Sequence, residues 1–100
     1  MPTRTNIPHD MILGDVCIVQ GSAATFAILQ TIDGMTWLRG VQTLTNGDMD
    51  VTDWQSIHEW SIGESDESMW LKLTMCEGDP VDHSVGVERF WSCPIEDWPG

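Results

Sequence analysis

Three short turn signals constrain this chain more than any other feature. Gly21-Ser22, Asp33-Gly34 and Asn46-Gly47 recur at spacings of twelve and thirteen residues. Gly and Asn accept the positive φ of primed turns, so each dipeptide is a favoured hairpin connection. Runs rich in β-branched and apolar residues lie between them, beginning at Leu13 and continuing through Val16, Ile18 and Val19. The pattern predicts a four-strand antiparallel meander over about residues 14–52.

The middle turn can be tested for register. A two-residue Asp33-Gly34 connection pairs Ile32 with Met35 and sets Gln30 opposite Trp37, Ile28 opposite Arg39 and Phe26 opposite Val41. One face then carries Phe26, Ile28, Ile32, Met35, Trp37 and Val41 and is mostly apolar, with the charged Arg39 out of place on it. A slip by one residue would invert the faces. Gly40 inside the run predicts a bulge or bend of the kind small barrels need.

After Val51 the period changes. Thr52 with Gln55 three residues on matches a capping box, Asp53 suits a first helical turn, and Trp54, Ile57 and His58 share a helical face. With Gly63 as a stop, the reading is one short helix near 53–61. Glu64 to Ser68 reads as a charged loop. From Met69 to Cys76 the alternation returns, with Met69, Leu71, Leu73 and Met75 on one face and Trp70, Lys72 and Thr74 on the other. Residues 85–91 form a last strand in which Val85, Val87, Arg89 and Trp91 would face alike.

The expected class is therefore mainly β, a small curved antiparallel barrel or two-sheet roll of about six short strands. One hundred residues suffice for a single domain burying roughly 65% of its unfolded surface. Its body is expected at 12–92, with an extended N-terminal arm at 1–11 and an acidic C-terminal tail at 93–100.

Charge narrows the function classes. Sixteen Asp and Glu oppose four Lys and Arg, a net −12. Asp10, Asp15 and Asp33 against Arg4 and Arg39 leave residues 1–47 at −1, so −11 belongs to residues 48–100. No basic cluster exists to neutralise phosphates, so direct nucleic-acid binding is not expected. An anionic membrane would repel the chain, and no apolar run approaches the ~20 residues of a spanning helix. The opening residues hold no secretory apolar core, and Cys17, Cys76 and Cys93 are odd in number. Reduced thiols in a cytoplasmic protein are the expectation.

No motif announces an enzyme. There is no Gly-x-Ser-x-Gly, no Gly-rich phosphate loop and no His-Glu-x-x-His, and His58-Glu59 alone is too common a pair to weigh. Cys76, His83 and Cys93, with Asp82, could be gathered into a metal site, but their spacings match no tetrahedral zinc pattern. No cofactor is expected.

What remains is a contact surface. Asp48, Asp50, Asp53, Glu59, Glu64, Asp66 and Glu67 form a run without a cation, and Asp48 and Asp50 on one strand would project alike about 6.6 Å apart. Six Trp exceed what so small a core needs, so Trp70 and Trp98 are candidate interface anchors while Trp37 and Trp54 are assigned to the core. A folded surface of roughly 5,700 Å² gives one net charge per about 470 Å². Duplex DNA carries roughly one per 100 Å², so nucleic-acid mimicry would need the carboxylates focused on one edge.

The leading expectation is a small acidic module that occupies a basic, nucleic-acid-binding surface of a larger protein. That is the physical type of the phage-encoded anti-restriction and anti-CRISPR inhibitors, an analogy of type and not of family. The alternatives are a structural subunit of a virion or other assembly, using arm and tail, and a small-ligand binder or enzyme built on His58, His83 or a cysteine.

Overall fold

The computed structural model describes residues 3–4, 7–22, 24–43, 49–75 and 83–97. Seven strands carry the architecture: β2 (Ile12–Gly21), β3 (Thr25–Thr31), β4 (Thr36–Thr43), β6 (Trp54–Ile57), β7 (Glu59–Ser65), β8 (Ser68–Thr74) and β9 (His83–Cys93). Two short pieces, β1 (Thr3–Arg4) and β5 (Met49–Val51), complete a single antiparallel sheet in the order β1-β6-β4-β3-β2-β9-β8-β7, with β5 also on β4. The sheet curls into a half-barrel. β6 and β7 stand towards opposite ends of this order, yet His58 alone separates them in sequence.

The predicted meander is present as β2 to β5, each strand antiparallel to the next. The Asn46-Gly47 turn lies outside the described residues. The register at Asp33-Gly34 differs from expectation by one residue: Gln30 pairs with Thr36, Ile28 with Leu38, Ala27 with Arg39 and Phe26 with Gly40. The cause is the loop. Thr31 N–H donates to Met35 O at 2.9 Å and Gly34 N–H to Thr31 O at 2.9 Å, which leaves three residues in the connection rather than two. Gly34 takes φ +87°, the left-handed position such loops need. Thr31, fully buried, then donates its hydroxyl to Asp33 Oδ1 and accepts from Trp37 Nε1 at 3.1 Å.

This register gives the meander two apolar faces. Val16, Ile18, Ala27, Leu29, Trp37 and Trp54 pack on one side, together with Ile7. Val19, Ile28, Leu38 and Ile57 pack on the other, where Leu71 and Leu73 of β8 close over them. Arg39 therefore shares a face with Ala27 and Trp37, not with Ile28 as expected. Gly40 stands where β4 passes from its β6 partner to its β5 partner, the predicted place for a bend.

The predicted helix near 53–61 is absent; this segment is β6, His58 and the start of β7. Thr52 does not cap a helix. Its hydroxyl accepts from Gly40 N–H at 2.9 Å and its own N–H donates to Gly40 O at 3.0 Å. Trp54–Ile57 lies between β4, which pairs with Gln55 to Ile57, and β1, which pairs with Trp54 and Gln55, and its alternation sends Trp54 to one apolar face and Ile57 to the other. A helix would satisfy the backbone but bury only one of those faces. Helical turns among the described residues are two 3₁₀ segments, His9–Met11 and Ile95–Asp97.

The last strand also departs from expectation. Its pairing with β2 shifts between Val87 and Arg89, where Gly21 meets Val87 but Gln20 meets Arg89. Glu88 is the extra residue of a bulge. Val85 and Val87 face the second apolar cluster, while Arg89 and Trp91 are turned to the opposite side of the sheet.

Candidate functional site

The β7–β8 hairpin is built around a two-residue Asp66-Glu67 turn, with Ser65 paired to Ser68 and their hydroxyls 3.1 Å apart. Glu64, Asp66 and Glu67 all project into solvent there. β9 lies along β8, with Met69 opposite Val87 and Trp70 opposite Gly86. That pairing brings the bulge residue Glu88 to the same rim. Together these carboxylates border an open groove of about 720 Å³, with Ser22 of the β2–β3 turn and Met69 among its other walls and no cation among its lining residues.

The remaining members of the predicted contact set are dispersed. Glu59 is exposed at the far end of β7, five residues or about 17 Å from Glu64 along the strand, in a small recess with Lys72 and Thr74. Asp53 lies just before β6 and acts on Arg39. The Arg39 guanidinium sits 4.7 Å from the Trp54 ring centroid. Burial pulls it below its ordinary value and the Asp53 carboxylate pushes it back up. Asp53 is thus used within the chain. Asp50 belongs to β5 opposite Gln42, at the other end of the sheet from β7, and Asp48 and Trp98 lie outside the described residues.

Trp70 stands on the outer face of β8, half-buried. Its indole covers Gly63 so closely that a Cβ there would stand 2.5 Å from Nε1. Lys72 Nζ is 5.9 Å from the ring centroid, at the outer limit of a cation–π contact. Trp37 and Trp54 are 1% and 3% exposed, in the core as expected. A site that sequence reasoning missed is the Arg89–Trp91 pair, 4.6 Å apart, with Arg89 Nε donating to Gln20 Oε1 at 2.8 Å and Trp91 38% exposed. Glu88 was missed for the same reason, since the strand pattern carries no mark of the bulge.

Of the proposed metal set, Cys76 and Asp82 lie outside the described residues, and so does the His83 side chain. No group of three or more potential metal ligands occurs among the described residues. Among them no helix is long and apolar enough to cross a membrane. Compared with known proteins, the chain matches no family model, no curated protein sequence and no solved structure.

Proposed function

We propose that this chain is a small acidic protein-binding module that occupies a basic surface of a larger partner, of the kind used to hold nucleic acid. The observation that carries this reading is the convergence of Glu64, Asp66, Glu67 and Glu88, from β7, the turn that follows it and β9, on one rim with no cation among its described lining residues. A groove lined by one sign of charge focuses its field, which raises the on-rate for a basic partner and repels nucleic acid itself. Trp70, held flat against Gly63 on the neighbouring face, would add the aromatic contact that slows dissociation. An inhibitor of nucleic-acid-handling machinery, of the anti-restriction or anti-CRISPR physical type, is the biological role this chemistry suits.

The assembly alternative asks the N-terminal arm to reach neighbouring copies. Ile7 is 3% exposed in the chain's own core, and Thr3–Arg4 pairs with Trp54–Gln55, which favours the module reading.

The test uses a panel of purified nucleic-acid-binding proteins with pI above about 9. Binding should be strong at low ionic strength and largely lost at about 1 M salt, where screening acts within about 3 Å. Neutralising Glu64, Asp66, Glu67 and Glu88 together should cost more than about tenfold in affinity, or about 1.4 kcal/mol. Neutralising Asp10, Asp15, Glu96 and Asp97 instead should cost less. Equal losses from the two sets would sink the rim assignment.

A further inference from the structure

We propose that the free edge of β7 accepts a strand from the partner: an extended, basic segment alternating with apolar residues. The inference rests on the acidic-surface reading and specifies how that surface is engaged. Among the described residues β7 has a strand neighbour on one side only, β8. Its pairing there runs without a bulge from Glu59↔Thr74 to Ser65↔Ser68. Edge strands are usually blunted by charged side chains, Pro, a bulge or extreme shortness. β7 is seven residues, Glu-Trp-Ser-Ile-Gly-Glu-Ser, in unbroken register, and its only such device is the carboxylate pair Glu59 and Glu64, which repels an acidic strand and not a basic one.

The direction of its backbone groups follows from the turn. A two-residue connection makes Ser65↔Ser68 a hydrogen-bonded pair, and the ladder then alternates. Glu59, Ser61, Gly63 and Ser65 aim N–H and C=O at β8. Trp60, Ile62 and Glu64 aim theirs outward. A strand laid along that edge would therefore find three consecutive donor–acceptor sites. It would also find apolar side chains on one face, since Trp60 and Ile62 are only partly buried against the second cluster.

Charge selects the occupant. Glu59 stands at one end of the edge, on the face away from Trp60 and Ile62, and the Asp66-Glu67 turn lies at the other end, so Lys or Arg on that face of the incoming strand would meet carboxylates at both ends. A second copy fits less well. Antiparallel self-pairing in the register that opposes Ile62 to Ile62 sets Glu59 of each copy against Ser65 of the other, beside its Asp66-Glu67 turn, and each copy brings −12.

The experiment titrates the intact, isotope-labelled protein with two seven-residue peptides of equal charge, one alternating Lys with Val and one alternating Lys with Pro. In the register that sets the apolar positions against Trp60 and Ile62, Pro removes each N–H that would be aimed at β7. The Lys/Val peptide should slow amide exchange at Trp60, Ile62 and Glu64 at least tenfold, and the Lys/Pro peptide should not. Glu64→Pro, which removes both charge and an outward N–H, should weaken the Lys/Val peptide at least tenfold more than Glu64→Gln, which removes charge alone. Equal binding of both peptides with no protection on β7 overturns strand addition while leaving the acidic-surface reading intact. Binding of neither at low salt overturns both. A dimer by light scattering, with the same three amides protected before any peptide is added, would assign the edge to a second copy and overturn the proposal.

Discussion

The meander and the hairpin wing are cut from one sheet but obey different rules. In β2, β3 and β4 successive residues are buried on alternate faces: Ile18 and Val19, Ala27 and Ile28, Trp37 and Leu38. In β7 and β8 the full burial falls to Leu71 and Leu73, and the outward face carries Ser61, Lys72 and the Trp70 platform. A strand buried on both faces cannot give side chains to a partner without losing core. A strand buried on one face can. Under the proposed function, stability and recognition fall to separate parts of a small molecule, with Glu64, Asp66, Glu67 and Glu88 grouped at the second part.

The largest test of this division is a matched pair of truncations. Trp37→Ala removes a ring that is 1% exposed and leaves the buried Thr31 hydroxyl without its indole donor. A loss of about 3–5 kcal/mol is expected, enough to unfold much of the protein. Trp70→Ala in the wing should cost only about 1 kcal/mol. Urea midpoints at matched slope measure both, and similar losses would show that the wing is as integral to the core as the meander.

Gly63→Ala is the next largest. The added Cβ would meet the Trp70 ring 2.5 Å from Nε1 and 2.8 Å from Cε2, so the indole must lift from the strand. A cost of about 1–2 kcal/mol follows from overpacking of this kind. Trp70 is read through difference fluorescence against Trp70→Phe, and its emission should move to the red as the ring enters water. An unchanged spectrum would mean that the backbone gives way instead.

The two regions also differ in how much of them could be read from the chain. The hairpins near Gly21-Ser22 and at Asp33-Gly34 and the alternation of Met69, Leu71 and Leu73 are local signals that the structure realises, although Gly21 itself ends β2 and bonds to Ala24 instead of forming the turn, and Asn46-Gly47 lies outside the described residues. The one-residue register shift at Asp33-Gly34 is not local. Asp-Gly serves two-residue and three-residue loops alike, and the three-residue form is the one that joins Thr31 to Trp37. Likewise Thr52, Asp53 and Gln55 carry a sound capping pattern, overruled because Trp54 and Ile57 each complete a different apolar face. The acidic rim was half legible. Glu64, Asp66 and Glu67 lie together in sequence, but Glu88 joins them through the β8–β9 ladder and a bulge that an unbroken strand pattern conceals.

Neutralising that rim sharpens the contrast from the other side. Glu64→Gln, Asp66→Asn, Glu67→Gln and Glu88→Gln remove like charges that crowd one groove and support no described ion pair. Thermal stability should hold or rise, by about 0.2–1 kcal/mol in sum, even as partner affinity falls. A fall in stability would give these carboxylates a role in the fold and remove the clean separation of tasks.

The smallest effect concerns the Cys17 thiol, which packs against the second cluster on the meander. Burial, and secondarily Cys93, push it above the ordinary thiol value of 9.0. In the unfolded chain the thiol loses its proton first, so above pH about 9 the unfolded state holds fewer protons than the native one. Stability should be flat with respect to this group below that pH and decline as pH rises through and beyond it. Cys17→Ala, compared with the parent chain in urea from pH 7 to 10.5, should flatten part of the alkaline decline while lowering the neutral plateau slightly. Parallel curves would mean that the meander admits water to this thiol, and that its two-faced burial is looser at β2 than at Trp37.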